Sequence, residues 1–284
     1  MSSPGAERGL PSRLTVPLSI AGLVLAWTAL ALLNGNPRVL PGPWLVAPLA
    51  WHELVQGPLL YHVGATLTRV ALSFGLAMAI GLAAGLAMGR SRRLDAWLDP
   101  WLIVFLNLPA LVTIVLAYLW IGLNETAAIL AVAANKIPTV IVTVREGARA
   151  LDTRLDDMAT VFRMPRLTRL RHVVLPQLAP YVAAAGRSGI ALIWKIVLVV
   201  EFLGRSNGVG FQIHLYFGLF DVAMVLVYAL AFVAVMLALE ALLFRPWERA
   251  ASAWRRAGSS SPVRAKWPRW FVPSWLSKPS AVRP

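Results

Sequence analysis

The sequence predicts an all-α integral membrane protein with six transmembrane helices and both termini in the cytoplasm, and three observations predict it. First, 58% of the 284 residues are hydrophobic and only 14% charged, with a mean hydropathy of +0.67. Soluble domains are about 45–50% apolar and about 25% charged. Second, six stretches reach roughly the 20 apolar residues that a helix needs to cross a bilayer: roughly 14–34, 65–88, 100–122, 126–144, 179–202 and 221–244. Third, Lys and Arg alternate between crowding and absence along the chain. The segment before the first span holds Arg8 and Arg13, the 89–98 loop holds Arg90, Arg92 and Arg93, the 145–176 insert holds seven arginines, and the tail after residue 244 holds nine Lys or Arg. These are 21 of the 27 basic residues, whereas only Arg38 and Arg205 belong to the other side. By the positive-inside rule the crowded side is cytoplasmic.

The elements follow in chain order. The 14–34 stretch is followed by LLNGNPRVLPGP and no small-residue cleavage site, so it reads as a retained span rather than a cleaved signal. Residues 1–60 thus comprise an N-terminal cytoplasmic segment, the first span and a lead-in on the outer side. Residues 61–244 form the transmembrane core. Its first span carries Ala77, Gly81, Gly85 and Gly89 at four-residue spacing, a stripe that lets a neighbouring backbone approach, within one chain or across a dimer. The outer loops, 35–60, the turn near Gly122 to Glu125, and 203–220, are too short for a receptor domain, so high-affinity capture of a solute requires a separate protein. Residues 245–284 mix basic residues with Trp and Pro and read as a cytoplasmic tail lying partly in the lipid interface.

Within the core, about 145–178 is a cytoplasmic loop. Asp152 is a helix cap, and Asp156 and Asp157 sit in the first turns, where the helix dipole favours negative charge. Leu155, Met158, Ala159 and Phe162 follow at i, i+3, i+4 and i+7 and share one face. Pro165 suits the start of a second helix, with Leu167, Leu170, Val173 and Val174 opposite Arg166, Arg169 and His172, until Leu175-Pro176 breaks it. The short first helix is marginal alone, so it either folds onto the chain's own spans or docks into a cytoplasmic partner.

Charges inside spans are costly and mark cavities or partners. Lys136, beside Asn135 and Pro138, falls near mid-membrane and Lys195 in the outer half, and both can attract an anion; alternatively each pairs with carboxylates or carbonyls, or Lys195 snorkels outward. Pro138 frees a backbone carbonyl. Glu201 can reach Arg205 at i+4, and Arg69 and Arg187 fall near span ends, at the interface. No metal site is expected: there are no cysteines, and His52, His62, His172 and His214 are scattered outside the spans. No acid pair or nucleophile with its base stands at membrane depth, which argues against a membrane enzyme. The net charge of +14 is accounted for by topology, not by nucleic acid. A channel or ion-coupled secondary transporter is the competing class, although inverted repeats and a chain of buried acids are not evident.

The stretch EGARALDTRLDDMATVFRMPRLTRLRHVVLPQLAPYVAAAGRSGIALIWKIVLVVEFLGRSNGVG resembles the coupling loop and following span of permease subunits in binding-protein-dependent ABC importers, nearest the nitrate, taurine and aliphatic sulfonate branch. The family pattern E-A-A-x-x-x-G falls on Asp157, Met158, Ala159 and Arg163, and I-x-L-P on Val173, Val174, Leu175 and Pro176. LPGP at Leu40 to Pro43, HVGATLTRVALSFGLAMAIGLAAGLAMGRSRRLDAWLDP and NLPALVTIVLAYLWIGLNE extend the likeness to about residues 10–250.

The resemblance implies a type I ABC importer permease fold in the inner membrane, working as a dimer with a second permease copy, two ATPase subunits and an extracytoplasmic solute-binding protein. It implies coupling through Leu155, Asp156, Asp157, Met158, Ala159, Phe162, Arg163 and Pro176, while Asn135, Lys136 and Lys195 stand as solute-path candidates from their place within the spans. The chain binds no cofactor of its own: a phosphate loop needs G-x-x-x-x-G-K-[ST], and the four lysines precede Ile137, Ile196, Trp267 and Pro279, so ATP belongs to the partner. A small sulfonate or nitrate-like anion is the expected solute, with a neutral heterocycle or vitamin precursor as the alternative. Arg163 departs from the family glycine; a left-handed backbone there costs a non-glycine residue about 1 kcal/mol, so an altered turn is expected.

Overall fold

The computed structural model describes residues 12–239 and 241–242, so the segment before Ser12 and the basic tail from 245 lie outside the described residues. Every regular element among those described is helical. The predicted spans correspond to α1 (Ser12–Asn34), α3 (Leu59–Arg90), a bent pair α4 (Arg92–Asn107) and α5 (Ala110–Ile121), α6 (Glu125–Arg149), α9 (Leu175–Gly204) and α11 (Val222–Leu239). Five of these are long and apolar enough to cross a membrane, and the bent pair brings the number to six.

Three local features depart from the sequence expectation. The third span is not one rod: α4 and α5 meet at 98°. Pro109 pushes the preceding residue out of the helical region, and Leu108 is accordingly extended, with φ −70° and ψ 123°. The loops predicted for the outer side are partly helical, with α2 (Pro43–Val55) opened by Pro43 in its first turn and α10 (Val209–Gly218) following Gly208 at φ 109°. Finally, Pro176 does not end the insert's second helix. α8 (Arg166–Arg169) runs through a π-helical turn, Leu170–Val174, directly into α9. A proline clashes with the carbonyl four residues back, here His172, and the widened turn at that carbonyl lets the chain pass Pro176 without a break.

The centre of the bundle is α3 against α6. A Cβ on Gly85 would lie 2.8 Å from Ile141 O and from Val144 Cβ, and one on Gly89 2.5 Å from Ala148 Cβ. The small-residue stripe, including the fully buried Ala77, is therefore an intramolecular packing face. α9 closes over both helices, with Ile193, Trp194 and Val197 packed among Val70, Ile114 and Val132. The Tyr118 hydroxyl donates to Val200 O at 2.8 Å. A second cluster, Val46, Val209, Met224, Val227 and Tyr228, ties α2, α10 and α11 together, and Tyr228 donates to Glu53 at 2.9 Å. α1 stays peripheral, with Leu23 and Leu33 largely exposed.

Candidate functional site

The insert's first helix, α7 (Thr153–Val161), forms where the sequence places it, with Asp152 as N-cap accepting from Arg154 N at 2.9 Å. Its apolar residues divide between two faces. Ala159 is buried on the chain itself, whereas Leu155 and Met158 are exposed and Phe162 is 72% exposed. Val161, which the i, i+3, i+4, i+7 pattern omits, joins the outward side at 79%. Asp157 is exposed.

Asp156 turns inward and holds the helix in place. Its carboxylate accepts from Arg90 of α3 at 2.7 and 2.9 Å and from Arg169 of α8 at 3.0 Å, with a second Arg169 contact at 2.6 Å. The hydrogen bond from Arg169, reinforced by Arg90, keeps the Asp156 carboxyl below its ordinary value against the opposing effect of burial. A carboxylate with a depressed folded pKa stabilises above its unfolded pKa and loses that contribution as pH falls through the folded one. The latch should therefore hold from neutrality down to about pH 4, the ordinary aspartate value, and loosen below it. Limited proteolysis of the 150–166 segment across that range checks this; cleavage that already rises between about pH 7 and 5 would contradict it.

α7 ends at a left-handed Arg163, φ 49°. Arg163 N donates to Thr160 O at 3.0 Å and Met164 N to Ala159 O at 2.9 Å, the paired 5→2 and 6→1 bonds of a Schellman cap. The expected alteration of this turn does not occur: the glycine geometry is kept with an arginine in it, at a cost of about 1 kcal/mol. Nearby, Arg145 of α6 bonds Asp95 at 3.1 Å and Asp99, while Arg149 bonds Asp95 and Glu146. Ion pairs thus join α4 to α6, and α7 to α3 and α8.

At the opposite end lies a buried charge cluster. Arg69 is not interfacial: it is 3% exposed. It donates to Glu125 at 2.6 and 2.8 Å, to Glu201 at 2.7 Å, to Asn207 O at 2.9 Å and to the Asn207 side chain. Glu201, fully buried, does not pair with Arg205; it accepts from Arg69, from Thr66 Oγ1 and from Gly210 N, both at 2.9 Å. Arg205 turns to Glu125 at 2.6 Å. α3 begins before the predicted span, so His62 lies inside a helix, buried, accepting from Gly208 N at 3.0 Å and 2.6 Å from Gln212 Nε2. A usable signal existed: Arg69, Glu125 and Glu201 fall at matching depths near the same end of three spans, where opposite charges must meet each other.

The solute-path residues do not converge. Lys136 is 2% exposed, and its Nζ has no hydrogen-bond partner among the described residues. Gly189 of α9 leaves it room, since a Cβ there would lie 3.0 Å from Lys136 Cε. Asn135 is half-buried and Pro138 buried, while Lys195 is exposed on α9. Arg187 is likewise exposed.

A helical membrane bundle that presents a latched, outward-facing amphipathic helix between two of its spans has the form of a transporter subunit. Residues 75–245, more than half of the chain, match the family described as the binding-protein-dependent transport system inner membrane component, and the chain belongs to that family. It is 31% identical to the riboflavin transport system permease protein RibX of Chloroflexus aurantiacus over 78% of this chain and 83% of that one. It is 29% identical to the aliphatic sulfonates transport permease protein SsuC of Escherichia coli over 67% and 73%. The nitrate import permease protein NrtB of Synechococcus elongatus is 24% identical over 75% and 78%. An amino acid ABC transporter crystallised with histidines shares the fold, with a TM-score of 0.52 at 20% identity over 70% of this chain and 93% of that one. The chain is an ABC importer permease of the inner membrane. Membership of a binding-protein-dependent system implies an ATPase and a solute-binding partner.

Proposed function

We propose that this chain forms, with a second copy of itself, the path for a small organic sulfonate or nitrate-like anion, delivered by the solute-binding protein and driven by two ATPase subunits that bind ATP. The observation that carries the proposal is α7. Its inward side is fixed by Asp156 to α3 and α8, while Leu155, Met158, Val161 and Phe162 face away from the chain. That is the arrangement needed for a partner's motion to be transmitted to the spans and not absorbed by a loose loop. Asp157, Arg163 and Pro176 act in support, as an exposed acid, the cap and the passage into α9. On this reading the termini, the 89–98 loop and α7 face the cytoplasm, as the arginine distribution requires.

Lys136 favours an anion, because a cation within a span with no partner among the described residues is a natural counter-charge for a solute. The likeness to the riboflavin permease favours a second reading, a neutral or weakly charged heterocycle carried by the same machinery. Proteoliposomes holding the chain, its ATPase and its binding protein should accumulate a radiolabelled alkanesulfonate or nitrate only with ATP and all three proteins present. Uptake without the ATPase would place the chain among channels or secondary transporters; uptake of riboflavin alone would select the heterocycle.

A further inference from the structure

α4 stands off the α3–α6 pair. Between them runs an apolar crevice of about 300 Å³, walled by Ala84 of α3, Leu98, Trp101 and Phe105 of α4, and Ile137 and Pro138 of α6. Met88 lines its end and also the start of a second, polar cleft of about 670 Å³, which continues past Arg90, Arg92, Asp95, Arg149 and Asp152. An apolar slot at span depth beside a charged cleft at the span ends, with Met88 lining both, has the two compartments of a lipid.

Most charges in the cleft are spoken for: Arg90 by Asp156, Arg149 by Asp95. Arg92 is exposed and has no ion pair among the described residues. The adjoining surface of α4 carries Arg93 and the tryptophans Trp97 and Trp101, 79% and 63% exposed, the residue types that collect at the membrane–water boundary. A carboxylate-rich pocket would repel a phosphodiester, but Asp95 and Asp156 are neutralised by arginines and Asp152 is engaged as the α7 cap, accepting from Arg154 N, while Arg92 is left to meet an anion.

We propose that crevice and cleft together form a binding site for a glycerophospholipid, with an acyl chain lying along Trp101, Phe105 and Pro138 and the phosphate on Arg92. The occupant would wedge α4 against α6, supplementing the ion pairs from Arg145 to Asp95 and Asp99. The proposal rests only on the chain being a membrane protein and not on its solute.

Native mass spectrometry of the full-length chain, released from mild detergent and titrated with phosphatidylglycerol or with inorganic phosphate, tests it. Arg92→Gln alters an exposed side chain, so folding should be unaffected, and Ala84→Leu fills the crevice. Each should weaken phosphatidylglycerol binding by about tenfold, the equivalent of one charge-assisted contact or of a lost acyl-chain slot. Inorganic phosphate at the same concentration should neither bind with comparable affinity nor displace the lipid. Wild-type lipid affinity in both variants would overturn the site. Displacement by phosphate would reduce it to an anion site. Loss of self-association in Ala84→Leu, with lipid binding unchanged, would show that a second copy covers the crevice.

Discussion

Replacing Arg69 with methionine should destabilise the chain by about 3–5 kcal/mol, the usual consequence of leaving one partner of a buried ion pair alone. With total stabilities of about 5–15 kcal/mol, that is enough to lower the population of folded chain. The side chains of Arg69 and Glu201 are 4% and 0% exposed, so water cannot screen the orphaned carboxylate. Glu201→Gln should be milder, because the amide oxygen can still accept from Thr66 Oγ1 and Gly210 N, while Arg69 keeps Glu125 and Asn207. The double variant Arg69→Met with Glu201→Met should recover part of the loss, since removing both charges removes the uncompensated one. Thermal unfolding of the purified chain followed by tryptophan fluorescence measures all three. An Arg69→Met midpoint indistinguishable from wild type would mean that the cluster is not what joins α3, α6, α9 and α10.

The large regularities were legible because the bilayer leaves the backbone few choices. Apolar length located the spans, and the cap at Asp152 with the period of Leu155, Met158 and Ala159 located α7. What was not legible is where helices bend and which charges meet. The corner at Leu108 and Pro109 and the π turn before Pro176 are two opposite outcomes of the same residue type. In the first, proline stands just outside a helix and forces its neighbour extended; in the second it sits in a first turn and is accommodated. Local spacing favoured Glu201 with Arg205 at i+4, yet the partner came from 132 positions away in Arg69. An i+4 pair on a helix contributes only a few tenths of a kcal/mol, whereas a buried carboxylate needs several simultaneous donors, and only the tertiary arrangement supplies them. At α7 the period identified a face but not its direction. Ala159, small enough to pack tightly, went inward, and Val161 took its place outside.

Phe162→Arg should lower ATP-dependent uptake by more than tenfold while leaving the chain's own unfolding midpoint unchanged. The side chain is 72% exposed and makes no hydrogen bond within the chain, so its loss costs the isolated subunit little. In a partner's groove the same ring would contribute about 1.5–3 kcal/mol through burial, and an arginine there would also have to be desolvated. Asp156→Asn should behave differently. It leaves the outward face intact and loosens the latch to Arg90 and Arg169, whose side chains are about one-third exposed and screened by water, so the isolated chain loses little stability. ATPase binding should then persist while uptake per ATP hydrolysed falls, because a helix that is held by its partner but not by its own spans transmits less of the motion. Co-purification with the ATPase, together with hydrolysis and uptake in the same proteoliposomes, separates the two effects. If Phe162→Arg retained both binding and uptake, the outward face of α7 would not be the contact, and Asp156 would hold in place a helix with only a structural role.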